Sequence, residues 1–149
     1  MTTIRPIVTR VLPEWVDHYG HMNLAYYLVA FDMGTDALWP RLNLGVDFRA
    51  RGLGTFCAES WQAYTREVTL GAPLACEAEL LEFDAKRLLC RLVMFHAEEG
   101  WEVAQNELLY LCVDLGQRRV THWPEDVLER CRALATGGRA RRLTLARRD

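Results

Sequence analysis

At 149 residues, half of them hydrophobic and with a formal net charge of -2, the chain fits one domain with a single sizeable core and does not read as a nucleic-acid binder. The longest uncharged apolar run, Met22 to Phe31, is too short to span a bilayer, and no charged-then-apolar leader opens the sequence, so a soluble protein without membrane partners is expected. The five cysteines, Cys57, Cys76, Cys90, Cys112 and Cys131, are too far apart to pair as metal ligands, and their odd number fits no closed disulfide set. They point to a reducing, cytoplasmic compartment, with Cys57, Cys76, Cys90 and Cys112 as small buried apolar residues of strand-like runs.

In chain order, Ile4 to Leu12 is β-branched and reads as a first strand, ended by Pro13, which cannot donate to a ladder. A polar, aromatic loop runs from Glu14 to Met22. A helix follows from about Asn23, a good N-cap, and Pro40 closes it. Leu24, Tyr27, Leu28, Phe31 and Leu38 form one stripe, while Ala25, Val29, Ala30, Met33 and Ala37 make the other faces apolar too. A helix apolar nearly all round is expected to be buried by its surroundings.

Asn43 to Gly54 is a loop. Strands are then expected over Thr55–Val68, Leu74–Phe83, Arg87–His96 and Glu102–Asp114, separated by Gly71-Ala72-Pro73, Asp84-Ala85 and Glu98-Glu99-Gly100, with Gly116 breaking the last. Pro124 to Ala135 is a short helix ended by Gly137. The domain is expected to end at residue 136. Residues 137–149, with Arg139, Arg141, Arg142, Arg147 and Arg148, form a basic tail expected to be solvated and mobile. One strand, one long helix and four consecutive strands give an α+β architecture with an antiparallel sheet of about five strands. Its uncovered edge and outer face predict pairing with a second copy.

The stretch Asp17-His18-Tyr19-Gly20-His21-Met22-Asn23 sets a carboxylate, a glycine, ring nitrogens and an amide at the mouth of the long helix. Carboxyl chemistry beside a helix start can attack and polarise a carbonyl. From spacing alone Asp17 is equally an Asx-turn residue or an acid favoured by the helix dipole.

The order strand, Asp-x-x-Gly-His-Met-Asn, helix and four strands resembles the hot-dog fold acyl-CoA thioesterases, in which the sheet wraps the helix. Asp17 to Tyr27, Glu59 to Gly71 and Asp84 to Leu88 are similar to the 4-hydroxybenzoyl-CoA thioesterase-like branch, and most of all to the short betainyl-CoA thioesterases of carnitine breakdown. Trp61 and Gly71-Ala72 stand where relatives commonly show His and Gly-Asp.

The resemblance implies hydrolysis of a short or polar acyl-CoA by a homodimer or homotetramer. No metal or prosthetic group is expected, the coenzyme A thioester being the substrate. It makes Asp17 the catalytic carboxylate, as nucleophile or as general base, and the backbone N–H groups near Gly20 and His21 the donors to the thioester carbonyl. His21 is an acid/base group, an orienting partner of Asp17 or a core histidine, the orienting role being favoured. Asn23 is chiefly a cap. Glu59 either shares the acid/base work or points to solvent.

Tyr26 is placed along the acyl pocket and Tyr27 mainly in the core. Arg66, Lys86 and Arg87 are candidates for the coenzyme A phosphates, with Arg49 and Arg51 as further ones. Trp15 and Trp61 are the candidates for an aromatic cage around a quaternary ammonium group. Two rivals keep the fold and change the activity: a non-catalytic module binding an acyl thioester, and an enoyl-CoA hydratase or dehydratase.

Overall fold

The computed structural model describes residues 5–146. Its elements are β1 (Ile7–Arg10), α1 (Leu24–Thr35), β2 (Leu53–Tyr64), β3 (Pro73–Phe83), β4 (Arg87–His96), β5 (Glu102–Asp114), β6 (Arg119–Val120) and α2 (Glu125–Leu134), with 3-10 turns at Pro13–Trp15, Trp39–Leu42 and Val46–Arg51. The strand order is β1-β3-β4-β5-β2, and β6 pairs with β5. β1 lies antiparallel to β3, and the short connections after β3 and β4 make those neighbours antiparallel hairpins. The expected α+β sheet-and-helix architecture is therefore present, with β6 as an addition.

The chain forms two compact units. The first holds residues up to Ala37, Gln62–Ala78 and Leu92–Asn106. Its core is Phe31, Leu74, Leu92, Met94 and Val103, all fully buried. α1 is capped by Asn23, whose side-chain oxygen accepts the Ala25 N–H at 3.0 Å. Gly34 lets the helix come close to the sheet. A Cβ there would stand 2.9 Å from Cys76 Cβ and 3.1 Å from Leu92 Cδ2, so only glycine fits without displacement.

Two expectations for this helix change. It spans twelve residues, not the run to Pro40, because the chain leaves α1 through a turn and Pro40 lies in the first positions of the 3-10 turn Trp39–Leu42 instead. It is also buried on one face only. Tyr27, Ala30, Phe31 and Gly34 face the core, whereas Leu24, Leu28, Val29 and Met33 are exposed. All-round apolar composition does not by itself supply neighbours for every face within one chain.

The second unit holds Leu38–Trp61, Glu79–Arg91 and the residues from Glu107 onward. Leu42, Leu81, Leu88, Leu89 and Val127 are fully buried, and Trp39 meets Tyr110 edge to face at 4.8 Å. The guanidinium of Arg51 forks onto both carboxylate oxygens of Asp126 at 2.9 Å, tying the Val46–Arg51 turn to the first turn of α2.

The C-terminal segment also departs from expectation. Thr136 and Gly137 donate to the carbonyls of Leu80 and Leu81 at 2.9 Å. Farther on, the carboxylate of Glu107, buried on β5, accepts the backbone N–H groups of Arg141, Arg142 and Leu143 at 2.6–3.0 Å. Arg91 and Arg87 bind the carbonyls of Arg139 and Leu145. Residues 137–146 are thus docked rather than mobile, because a buried carboxylate must find donors and the segment supplies three. Ile4, Arg147 and Arg148 lie outside the described residues.

Four cysteines are buried, but Cys57, on the edge strand β2, is exposed against expectation. Burial pushes Cys76 up to about 12 and Cys112 and Cys131 up to about 11. The native protein should therefore release one equivalent from a disulfide reagent rapidly at pH 8 and all five in urea. Two or more fast native thiols would contradict the packing. The folded state holds these protons more tightly than the unfolded one. Their contribution to stability consequently falls as pH rises past the ordinary thiol range near about 9 towards those folded values.

Candidate active site

The stretch from Asp17 to His21 closes as a tight hairpin in the first unit. Val16 and Met22 form an antiparallel bridge, with Asp17 N–H donating to the His21 carbonyl at 2.9 Å and Asn23 N–H to that of Trp15 at 2.8 Å. Gly20 N–H returns to the Asp17 carbonyl at 3.0 Å, and Gly20 adopts φ +83°. This is a three-residue loop whose last residue is left-handed, a position glycine fills without strain.

Asp17 heads the turn. Its Oδ1 accepts from Tyr19 N–H at 2.9 Å and from His21 N–H at 3.4 Å. One carboxylate oxygen therefore does the work of an Asx turn, while Oδ2 has no hydrogen bond among the described residues. The half-buried Asp17 can act as a structural cap and a reactive carboxylate together.

The same hairpin engages the backbone N–H groups expected to face the thioester carbonyl. Gly20 N–H serves the Asp17 carbonyl, His21 N–H leans on Asp17 Oδ1, and Met22 N–H donates to Val68 at 2.9 Å. Closing the loop thus gives each of these N–H groups an acceptor within the chain, that of His21 at the longest distance, 3.4 Å.

The backbone of His21, not its ring, meets Asp17, and its Nε2 lies 3.2 Å from Oε2 of Glu67. Glu67 follows the end of β2 and was not singled out from the sequence. The signal available was its place inside the Glu59–Gly71 stretch that carries the resemblance. Tyr27, buried beneath, meets Tyr64 edge to face at 4.9 Å. Burial, then the negative charge of Glu67, holds its phenol above the ordinary range, with Tyr64 and Asp17 adding to this and a Val68 backbone bond opposing it.

Asn23 is the cap of α1, as described. Trp15 is buried and stacks on Tyr26 at 5.5 Å and 14°, so its face is already covered. The Arg66 guanidinium lies 4.2 Å from the centre of the Trp101 ring. Asp17, Gly20, His21, Asn23, Trp15, Tyr26, Tyr27 and Arg66 all belong to this unit.

The other candidates belong to the second unit. Glu59 is half-buried on β2. Trp61 carries the guanidinium of Arg141 at 5.3 Å from its ring centre, so a cation of its own chain holds that face. Lys86 is exposed in the turn that Asp84 caps. The Arg87 guanidinium is committed to Asp84 at 2.6–2.7 Å and to the Leu145 carbonyl at 2.7 Å. Its expected role on a phosphate yields to these internal acceptors, as does that of Arg51 to Asp126. Among the described residues, no three His, Cys, Asp or Glu side chains are grouped to hold a metal ion. No helix among them is long and apolar enough to cross a membrane.

The family model of the thioesterase-like superfamily matches residues 11–131. A betainyl-CoA thioesterase of Pseudomonas aeruginosa is 37% identical over 133 residues, covering 89% of this chain and 84% of the relative. The L-carnitine dehydrogenase/betainyl-CoA thioesterase of Agrobacterium fabrum is 36% identical over 110 residues, which are 74% of this chain and 22% of that longer protein. A solved structure from Pseudomonas putida KT2440 superposes with a TM-score of 0.78 at 29% identity, covering 100% of this chain and 99% of its own. A Staphylococcus aureus protein solved with coenzyme A gives a TM-score of 0.78 at 21% identity, covering 97% and 94%, a likeness of fold.

Proposed function

Because the chain belongs to the thioesterase-like superfamily, we propose that it hydrolyses a short, polar acyl-CoA, betainyl-CoA foremost, to the free acid and coenzyme A. Its strand order and helix are those of the hot-dog fold. The observation that carries the reading is the Asp17 hairpin, which fixes a carboxylate by one oxygen and leaves the other open just ahead of α1. Asp17 either attacks the thioester carbonyl, expelling the coenzyme A thiolate and forming a mixed anhydride that water then hydrolyses, or takes a proton from a water that attacks the carbonyl and expels the thiolate directly. Polarisation of the carbonyl falls to the helix start rather than to Gly20 and His21. The N–H of Leu24, the first residue of α1, has no acceptor within its own helix, and the dipole adds positive potential there.

The working form in this proposal is a homodimer without a prosthetic group. Leu24, Leu28, Val29 and Met33, 37–65% exposed on α1, support a partner over that face. Five free thiols support a reducing, cytoplasmic location. Free-thiol release over a panel of betainyl-, short aliphatic and aromatic acyl-CoA esters tests the substrate class. Short polar members should be turned over best. Preference for a long aliphatic or aromatic ester would contradict it.

A further inference from the structure

Glu67 is the charged group of the Asp17 neighbourhood to which the reaction assigns no part. His21 links the two carboxylates, its backbone N–H 3.4 Å from Asp17 Oδ1 and its ring Nε2 3.2 Å from Glu67 Oε2. The Glu67 side chain remains 74% exposed, and its pairing with His21 is ionic only while the imidazole is protonated. It therefore adds negative charge to the rim of the site. Tyr64, 48% exposed, ends the strand that leads to Glu67, and Tyr27, in edge-to-face contact with it, senses the charges of both Glu67 and Asp17. A carboxylate close in sequence to an exposed aromatic residue, with the Asp17 charge felt at the same tyrosine pair, offers an organic cation Coulomb attraction and cation–π contact.

We infer that Glu67 is a specificity-determining residue of the Asp17 site, selecting an acyl group that carries a fixed positive charge. The inference rests on the thioesterase reading above and adds to it the group that recognises the charge. Attraction to an exposed carboxylate is screened by salt, so the preference should weaken as ionic strength rises.

The test compares betainyl-CoA with 3,3-dimethylbutanoyl-CoA, which has the same branched shape with carbon in place of the charged nitrogen. The readout is the ratio of the two kcat/KM values. Any disturbance of the hairpin by a substitution at Glu67 acts on both thioesters and cancels in that ratio. The wild-type ratio should favour the cation, and Glu67→Gln should lower it about fivefold or more. Glu67→Asp, which keeps the charge, should retain most of it, and about 0.5 M salt should erode it in the wild type. An unchanged ratio in Glu67→Gln overturns the inference, as does hydrolysis of both esters by the wild type without preference. Hydrolysis of neither would bring down the thioesterase reading itself, and the inference with it.

Discussion

Replacing Asp17 with asparagine is expected to lower kcat at least about 10²-fold while leaving the fold intact. The separation of the two effects follows from the hairpin. An asparagine side-chain oxygen still accepts the N–H groups of Tyr19 and His21, so the Asx turn and the bridge between Val16 and Met22 persist. What is lost is the negative charge and the second oxygen, the features a nucleophile or base needs. Steady-state hydrolysis read beside a thermal melt checks this. Turnover near wild type would remove Asp17 from the chemistry, whereas loss of activity together with a large fall in Tm would reduce it to a structural cap.

The second large effect is on stability. Glu107→Ala removes the acceptor of three backbone N–H groups at 2.6–3.0 Å and empties a fully buried side-chain site. The cost should be on the order of 3 kcal/mol, which for a domain of this size is about 6–12 °C in Tm. The C-terminal segment should come loose at the same time. Arg139, Arg141 and Arg142 are trypsin sites held down in the native protein, so the variant should be trimmed there well before the rest of the domain is cut. Glu107→Gln should fall between. Its carbonyl can replace Oε1 for Arg142 and Leu143, but its amide would face the Arg141 N–H, donor against donor. Equal trypsin resistance in Glu107→Ala and wild type would show that other contacts hold the segment.

Local signals carried far in this sequence where turns and alternation coincide. β4 and β5 have the limits read from Asp84-Ala85, Glu98-Glu99-Gly100 and Gly116, since the Asp84 and Asp114 side chains accept the N–H groups of the turns that follow them and Gly100 takes a positive φ. The N-cap at Asn23 was legible for the same reason. Long-range pairings were not. The Glu107 carboxylate meets backbone groups 34–36 residues away, and no side-chain pattern in the tail announces them. Its signal was the one applied to Glu59, a carboxylate inside an apolar strand, yet Glu107 is the one fully buried. The reach of Glu67 to His21 likewise depends on how the end of β2 meets the hairpin. At Gly20 and His21 the sequence shows which donors exist, while only the closed loop shows which partners they have within the chain.

In the function proposed above, this chain cleaves an acyl-CoA thioester and does not merely hold one. That cleavage is tested most directly by incubating the purified protein with betainyl-CoA and quantifying both products, the acid by mass spectrometry and coenzyme A as free thiol. The two should accumulate in equal amounts, over many turnovers and in proportion to enzyme. Recovery of intact thioester from a protein that binds coenzyme A would contradict it.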